Sequence, residues 1–340
     1  MTTTYRAYQV SGKGEFALVE RELREPGPGE VRIRVEACGV CHSDLLAVAG
    51  LLRPDPAVPM VPGHEIAGVV DAVGAGVRAW KPGDRAGVGF LNGPCYECDH
   101  CRRGDFVDCA DQQTTGTTVD GGYAEIVYAR ASGLVRLPAE LSAVEAAPLL
   151  CAGITVYRGL TDLGLRPGSL VAVQGLGGLG HLAVQYASRL GHRVVAIARG
   201  TGKAALADSL GADDYVDSTA EDPAAALRRL GGADAILATG ANGGAMSALV
   251  GGLAAHGRLV VIGAGGEPMT VDPAHLLFPV RAINGTMVGT AIQTEDALAF
   301  AVRHGVRSAN EIMPLSEAPK AYERMMAGDA RFRIVLDSRS

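Results

Sequence analysis

Leu170-Val171-Ala172-Val173-Gln174-Gly175-Leu176-Gly177-Gly178-Leu179-Gly180-His181-Leu182-Ala183-Val184 is the stretch on which the fold turns. Its apolar head reads as a short buried strand. Residues 175–180 form a G-x-G-x-x-G turn, and the spacing from His181 to Leu190 becomes helical. In that context the glycines let backbone approach a pyrophosphate lying on the helix N-terminus, the dinucleotide fingerprint. The run alone says little in a chain with 46 glycines; the flanking strand and helix give it weight. The alternation continues downstream, with strands at 193–197, 213–217, 234–238, 258–262 and 283–288 and helices at 202–210, 222–230 and 244–254. It predicts a doubly wound parallel sheet with helices on both faces, an α/β fold.

Upstream the pattern is richer in strands. Residues 5–10 and 31–37 read as strands around Pro26-Gly27-Pro28-Gly29, and Val31, Ile33 and Val35 alternate with Arg32, Arg34 and Glu36. That half-buried strand delivers Cys38-Gly39-Val40-Cys41-His42-Ser43-Asp44, where Cys41 reads as a metal ligand and Ser43 as a proton acceptor. Leu45 to Leu52 reads as the start of a helix, and Pro54, Pro56, Pro59 and Pro62 then hold an extended loop. It leads to Gly63-His64-Glu65 and a strand at 66–73. A histidine on an apolar strand is more often a core residue bonded to a carbonyl; Cys41 upstream tips His64 towards a ligand.

Cys95, Cys98, Cys101 and Cys109 are spaced C-x2-C-x2-C-x7-C. Four thiolates at that spacing close around one tetrahedral zinc and leave no open position, so the site is structural. An iron–sulfur cluster is the alternative the spacing leaves. Residues 123–137 return to strands, and Ser142 with Glu145 forms a capping-box pattern. Cys151 lies among small apolar residues, where a plain buried thiol is the bland reading. Cys41, His64 and Cys151 together make a Cys2His set with its fourth position open, the composition of a catalytic zinc. Cys38-x-x-Cys41 as a redox pair lacks a thioredoxin-like context. Helices at 294–304 and 317–327 precede a last strand, 332–336, expected to return to the first domain.

The 340 residues suffice for two domains with large cores. A net charge of -6 leaves no footprint for nucleic acid, and no cationic block suggests a membrane surface. Met1-Thr2-Thr3-Thr4-Tyr5-Arg6 has no apolar run behind it, so no signal peptide is expected. The seven cysteines of a cytoplasmic protein are read as ligands and free thiols.

With these motifs the chain resembles the zinc-containing medium-chain alcohol dehydrogenases, of the compact bacterial and yeast-like branch. The resemblance is carried by residues 39–44, by Gly63-His64-Glu65 with Gly68, Gly74 and Val77, by the four-cysteine lobe, by Cys151 with Thr155, and by Gly175 to Gly180. It implies a GroES-like catalytic domain over 1–150 with a structural zinc lobe at about 92–112. A Rossmann domain over 151–288 and a returning segment over 289–340 complete it. It implies two Zn2+ per chain, a nicotinamide cofactor, a homotetramer (or homodimer), and reversible hydride transfer between a small alcohol and its aldehyde or ketone. Asp44 would orient His64, and Glu65 would sit behind the metal. His42 and Arg333 would meet the pyrophosphate, while Thr155, Ile262, Thr286 and Val288 would line the nicotinamide beside Gly175, Gly177, Gly178, Leu179 and Gly180. Leu52 and Phe90 would wall the substrate pocket. Leu46 stands where many relatives carry a proton-relaying histidine. The alternatives are a polyol or amino-alcohol dehydrogenase of the same fold and, more remotely, a non-catalytic zinc- and nucleotide-binding module.

The second strand of the nucleotide unit should end in a carboxylate if the coenzyme is NAD, because that group accepts from the ribose 2'-OH. Ala198 stands there instead, followed by Arg199 and, past Gly200-Thr201-Gly202, by Lys203. The expectation is therefore NADP, with NAD the alternative in which Arg199 only stacks on the adenine.

Overall fold

The computed structural model describes residues 3–11, 14–53 and 55–339. Met1, Thr2 and Pro54, on which two sequence readings touch, lie outside the described residues. The described residues fall into two compact units.

The first unit comprises 1–154, 288–303 and 307–340. Its seven-stranded sheet runs Asn310–Pro314, Arg333–Asp337, Glu30–Val40, Glu65–Val73, Arg85–Val88, Leu134–Arg136, with Ile126–Arg130 also pairing to Glu30–Val40. All pairs are antiparallel except Asn310–Pro314 with Arg333–Asp337. The strand Glu30–Val40 is central because its alternation is strict: Val31, Ile33 and Val35 are buried in the core with Ile66, Val70 and Val127. Their neighbours turn outward, and Arg32 Nε reaches Asp71 at 2.6 Å. The hairpin Thr4–Val10/Phe16–Glu22 lies outside that sheet, and only its first strand was read from sequence.

The second unit comprises 155–287 and 304–306. Its six strands run Asp214–Asp217, Arg193–Ala198, Leu170–Gln174, Ala233–Ala238, Leu253–Val261, Ala282–Gly285, every neighbouring pair parallel. The expected doubly wound α/β order is present. The helix expected over 244–254 stops at Leu249, and the chain is a strand again from Leu253. A 3-10 turn, Val250–Gly252, follows Leu249, and a Cβ on Gly252 would lie 2.9 Å from Leu227 Cδ1. The helix expected from Leu45 is a single turn, Leu45–Val48, which Gly50 ends at a positive φ of 68°. Among the described residues no single helix is long and apolar enough to cross a membrane.

Candidate active site

Three segments of the first unit converge. The strand Glu30–Val40 leaves its sheet at Cys41, where the 3-10 turn His42–Asp44 begins. The strand Glu65–Val73 is antiparallel to it, with Glu65 opposite Gly39, and places His64 just ahead of its first residue. Cys151 follows the turn Ala147–Leu150 and precedes the helix Ala152–Thr161. Ligand atoms of Cys41, His64, Glu65 and Cys151 lie within 4.8 Å of one another, and all four residues are buried. Gly39 makes this possible: a Cβ there would sit 1.9 Å from Glu65 Oε2.

Asp44 organises the cluster. Its Oδ1 is 2.9 Å from His64 Nδ1. Its Oδ2 accepts from Cys41 N at 2.9 Å and from Tyr123 Oη at 2.8 Å. A carboxylate only accepts, so Nδ1 carries the proton and Nε2 presents a lone pair. His64 Nε2 and Glu65 Oε2 are both buried without a hydrogen-bond partner. Leaving such atoms unpaired costs about 1–3 kcal/mol each. Two thiols, a bare imidazole nitrogen and a spare carboxylate oxygen are a donor set that fits zinc.

The ionisable groups of the cluster shift one another in opposite directions. The hydrogen bond from Cys151 and the nearby His64 hold the Cys41 thiol well below its ordinary pKa, and the Cys151 thiol is pushed up by the same bond and by burial. Burial opposes protonation of His64, but Asp44 and Cys41 outweigh it and raise the imidazole well above its usual value. Burial pushes Glu65 up to about 8 against the pull of Arg333. Arg333 is only 6% exposed, and its guanidinium pairs with Glu65, so the charge that the resemblance assigns to a pyrophosphate is engaged beside the Cys41–His64–Cys151 cluster. Ser43 is half-buried, His42 is exposed, and Val288 is buried.

The lobe gathers its four cysteines as the spacing expects, with mutual ligand distances within 4.8 Å. Cys95 Sγ and Cys101 Sγ are 3.9 Å apart, close to the roughly 3.8 Å that two sulfurs on one tetrahedral zinc would show. Backbone N–H groups of Glu97 and Cys98 donate to Cys95 Sγ, and Ala110 N donates to Cys98 Sγ, each at 3.4 Å. Backbone hydrogen bonds hold Cys98 down at about 6, whereas burial pushes Cys101 up to about 12.

A cavity of about 240 Å³ in this unit is lined by Phe90, Tyr96, Phe106, Leu150, Val288 and Ile292, among others. Phe90 sets its edge against His64, with ring centroids 5.2 Å apart. Leu52, expected on the same wall, is 47% exposed and does not line that cavity.

In the second unit the fingerprint forms a cradle. Gly175 has φ of 92°. A Cβ on Gly180 would sit 1.8 Å from Gly175 O, and one on Gly177 would meet nothing within 4 Å, leaving room for a phosphate against the backbone. Gly178 and Leu179 complete the turn. Ile262 Cδ1 and Thr286 Cγ2 both approach Gly159, one turn along the helix from Thr155. Ala198 aligns with Asp217 across the parallel pair. Asp217 Oδ1 accepts from Gly200 N at 2.7 Å, holding the turn after Arg199. Arg199 is exposed and has no ion pair among the described residues. Lys203 Nζ donates to Leu176 O at 2.7 Å, so its cation braces the glycine turn.

Sequence reasoning missed Tyr123, the Glu65–Arg333 pair and Asp217. A tyrosine 79 positions from Asp44 and an arginine 268 from Glu65 leave no spacing signal.

Two family models match: "Alcohol dehydrogenase GroES-like domain" over residues 27–139 and "Zinc-binding dehydrogenase" over 178–303. The alcohol dehydrogenase notN of Aspergillus sp. is 43% identical over 334 residues, covering 98% of each chain. Among solved structures, CAD from Helicobacter pylori complexed with NADP(H) has a TM-score of 0.88 at 26% identity, covering 100% of this chain and 99% of that one. Acetophenone reductase from Geotrichum candidum in complex with NAD also has a TM-score of 0.88, at 27% identity, covering 99% of this chain and 98% of that one.

Proposed function

The chain belongs to the zinc-containing medium-chain alcohol dehydrogenases, and from that premise we propose how its own residues divide the work and which coenzyme and substrates it takes. It is a zinc alcohol dehydrogenase, an oxidoreductase that uses a nicotinamide cofactor. The observation that carries the residue assignment is the buried Cys41–His64–Cys151 cluster with the bare His64 Nε2.

In this reading Cys41, His64 and Cys151 hold a catalytic zinc, and Cys95, Cys98, Cys101 and Cys109 a structural one. The catalytic zinc supplies a Lewis acid for the substrate oxygen, and the nicotinamide ring supplies the hydride acceptor. Ser43, two residues past Cys41, takes the alcohol proton. Asp44 holds His64 in the tautomer that leaves Nε2 bare. Glu65, buried and paired with Arg333, keeps a spare carboxylate oxygen beside the ligand set. Leu46 cannot pass a proton on, so the route beyond Ser43 does not run through that side chain. Gly175 to Gly180 take the pyrophosphate, and Thr155, Ile262 and Thr286 take the nicotinamide.

The substrates are apolar primary or secondary alcohols, aliphatic or benzylic, because Phe90 and its aromatic neighbours offer little to a polyhydroxyl chain. The coenzyme is NADP more than NAD. Arg199 is exposed and unpaired among the described residues, and Ala198 offers nothing that repels a 2'-phosphate. Lys203 is already engaged, so Arg199 carries this discrimination. The protein works in the cytoplasm, where seven cysteines persist without a disulfide. It assembles as a homotetramer through surfaces that include the outer strand Ala282–Gly285, beside which Leu277, Phe278 and Val280 are exposed.

The test is a spectrophotometric screen of alcohols and aldehydes with each coenzyme, with zinc counted per chain. Wild type is expected to favour NADP, and Ala198→Asp to move the kcat/KM ratio towards NAD. A wild-type preference for NAD of tenfold, about 1.4 kcal/mol, overturns the coenzyme assignment. One zinc per chain overturns the pair of metal sites.

A further inference from the structure

We propose that Tyr123 is a positioning residue for the metal centre, acting through Asp44 on His64; this rests on the assignment of Cys41, His64 and Cys151 as the catalytic ligands. Tyr123 is fully buried, and its Oη donates to Asp44 Oδ2 at 2.8 Å. Cys41 N donates to the same oxygen at 2.9 Å. Two donors converging on Oδ2 fix the plane of the carboxylate, which leaves Oδ1 facing His64 Nδ1 at 2.9 Å. The chain of contacts thus runs from a phenol, through a carboxylate that is 1% exposed, to the ring whose Nε2 is left bare. With the backbone donor alone, the carboxylate can rotate about its terminal torsion, which has no sharp staggered minimum. His64 would then lose its fixed orientation.

The phenol ring is held independently of its hydroxyl. It stacks on Phe16 with centroids 6.3 Å apart. It also fills the space beside Gly63, where an added Cβ would lie 2.5 Å from its Cδ1. Tyr123→Phe therefore removes the donor and keeps the shape. No water can replace the hydroxyl cheaply, since the methyl-sized gap left by one oxygen offers a single acceptor.

The experiment uses the fully zinc-loaded protein and its cobalt-substituted form. Metal release to a chromogenic chelator is followed, with the two ions resolved by rate. Outer-shell partners of metal ligands are typically worth 10–100-fold in affinity. In Tyr123→Phe, one of the two ions is expected to leave about tenfold faster or more, with the other unchanged, and the cobalt d–d bands of the catalytic site should shift. Unchanged release of both ions with an unchanged cobalt spectrum overturns the proposal. Asp44→Asn tests the link from its other end: once the carboxylate is gone, adding Tyr123→Phe should cost nothing further. Losses that add in the double variant mean that Tyr123 acts through the fold, and also overturn it. A failure of the ligand assignment looks different, because Cys151→Ser would then retain both zinc ions.

Discussion

Ser43 lies between Cys41 and Asp44 in space of two residues, half-buried on a 3-10 turn, and the proton assignment rests on that position. Ser43→Ala should lower kcat by 10²–10⁴-fold, the usual range for a positioned proton acceptor, with zinc content unchanged. Wild-type kcat in that variant would falsify the route. Cys151 and Cys98 offer a contrast of roles. Cys151→Ser should release the catalytic ion and end turnover while the protein stays folded. Cys98→Ser should chiefly lower the midpoint of thermal unfolding, because a closed four-thiolate site contributes folding energy. Metal analysis with calorimetry separates the two. At this scale the sequence was informative where ligands are close together, as in the lobe, or sit in a recognisable run, as at Cys41. It was silent on Tyr123 and on the pairing of Arg333 with Glu65, which depends on the last strand lying beside Glu30–Val40.

At the scale of elements, the helix start at Ser142 was legible. Ser142 Oγ accepts from Glu145 N at 3.3 Å, and Glu145 Oε2 accepts from Ser142 N at 2.9 Å, so the capping box forms. Ser142→Ala should cost about 1 kcal/mol in denaturant unfolding. The Ser142 hydroxyl and N–H hold the Glu145 carboxyl below its ordinary value. Its contribution is therefore complete above the ordinary glutamate pKa of about 4.3 and is lost as pH falls through the lower folded value. Stability measured down that acid range should fall less steeply in Ser142→Ala; an identical slope sinks the assignment. The strands Phe16–Glu22, Arg85–Val88 and Asn310–Pro314 were not legible. The first has mixed burial on its face, the second has four residues, and the third carries a proline and no alternation. Their pairing partners, not their own patterns, make them strands. The strand–glycine–helix unit was legible because its period changes at glycines of distinct roles: Gly180 packs on Gly175 O too closely for a Cβ, and Gly177 leaves open space.

For the whole molecule, the doubly wound sheet ends on Ala282–Gly285, with Phe278 77% exposed and Val280 59% exposed nearby. A strand edge flanked by apolar side chains favours pairing with another chain. Phe278→Lys should shift the assembly towards smaller species in sedimentation velocity, with both zinc ions retained. A mass unchanged at micromolar dilution removes this edge from the interface.

The chain has seven cysteines and no disulfide; six form the two proposed metal sets, and Cys38 has no exposed surface. A thiol reagent added to the loaded, native protein should therefore report almost nothing. Colour would appear only as an ion departs. Cys95 and Cys98, the more accessible pair, would react first, and Cys41 and Cys151 would follow from within. The count of reactive sulfurs then becomes a clock for ageing of the stored enzyme, read without substrate or coenzyme.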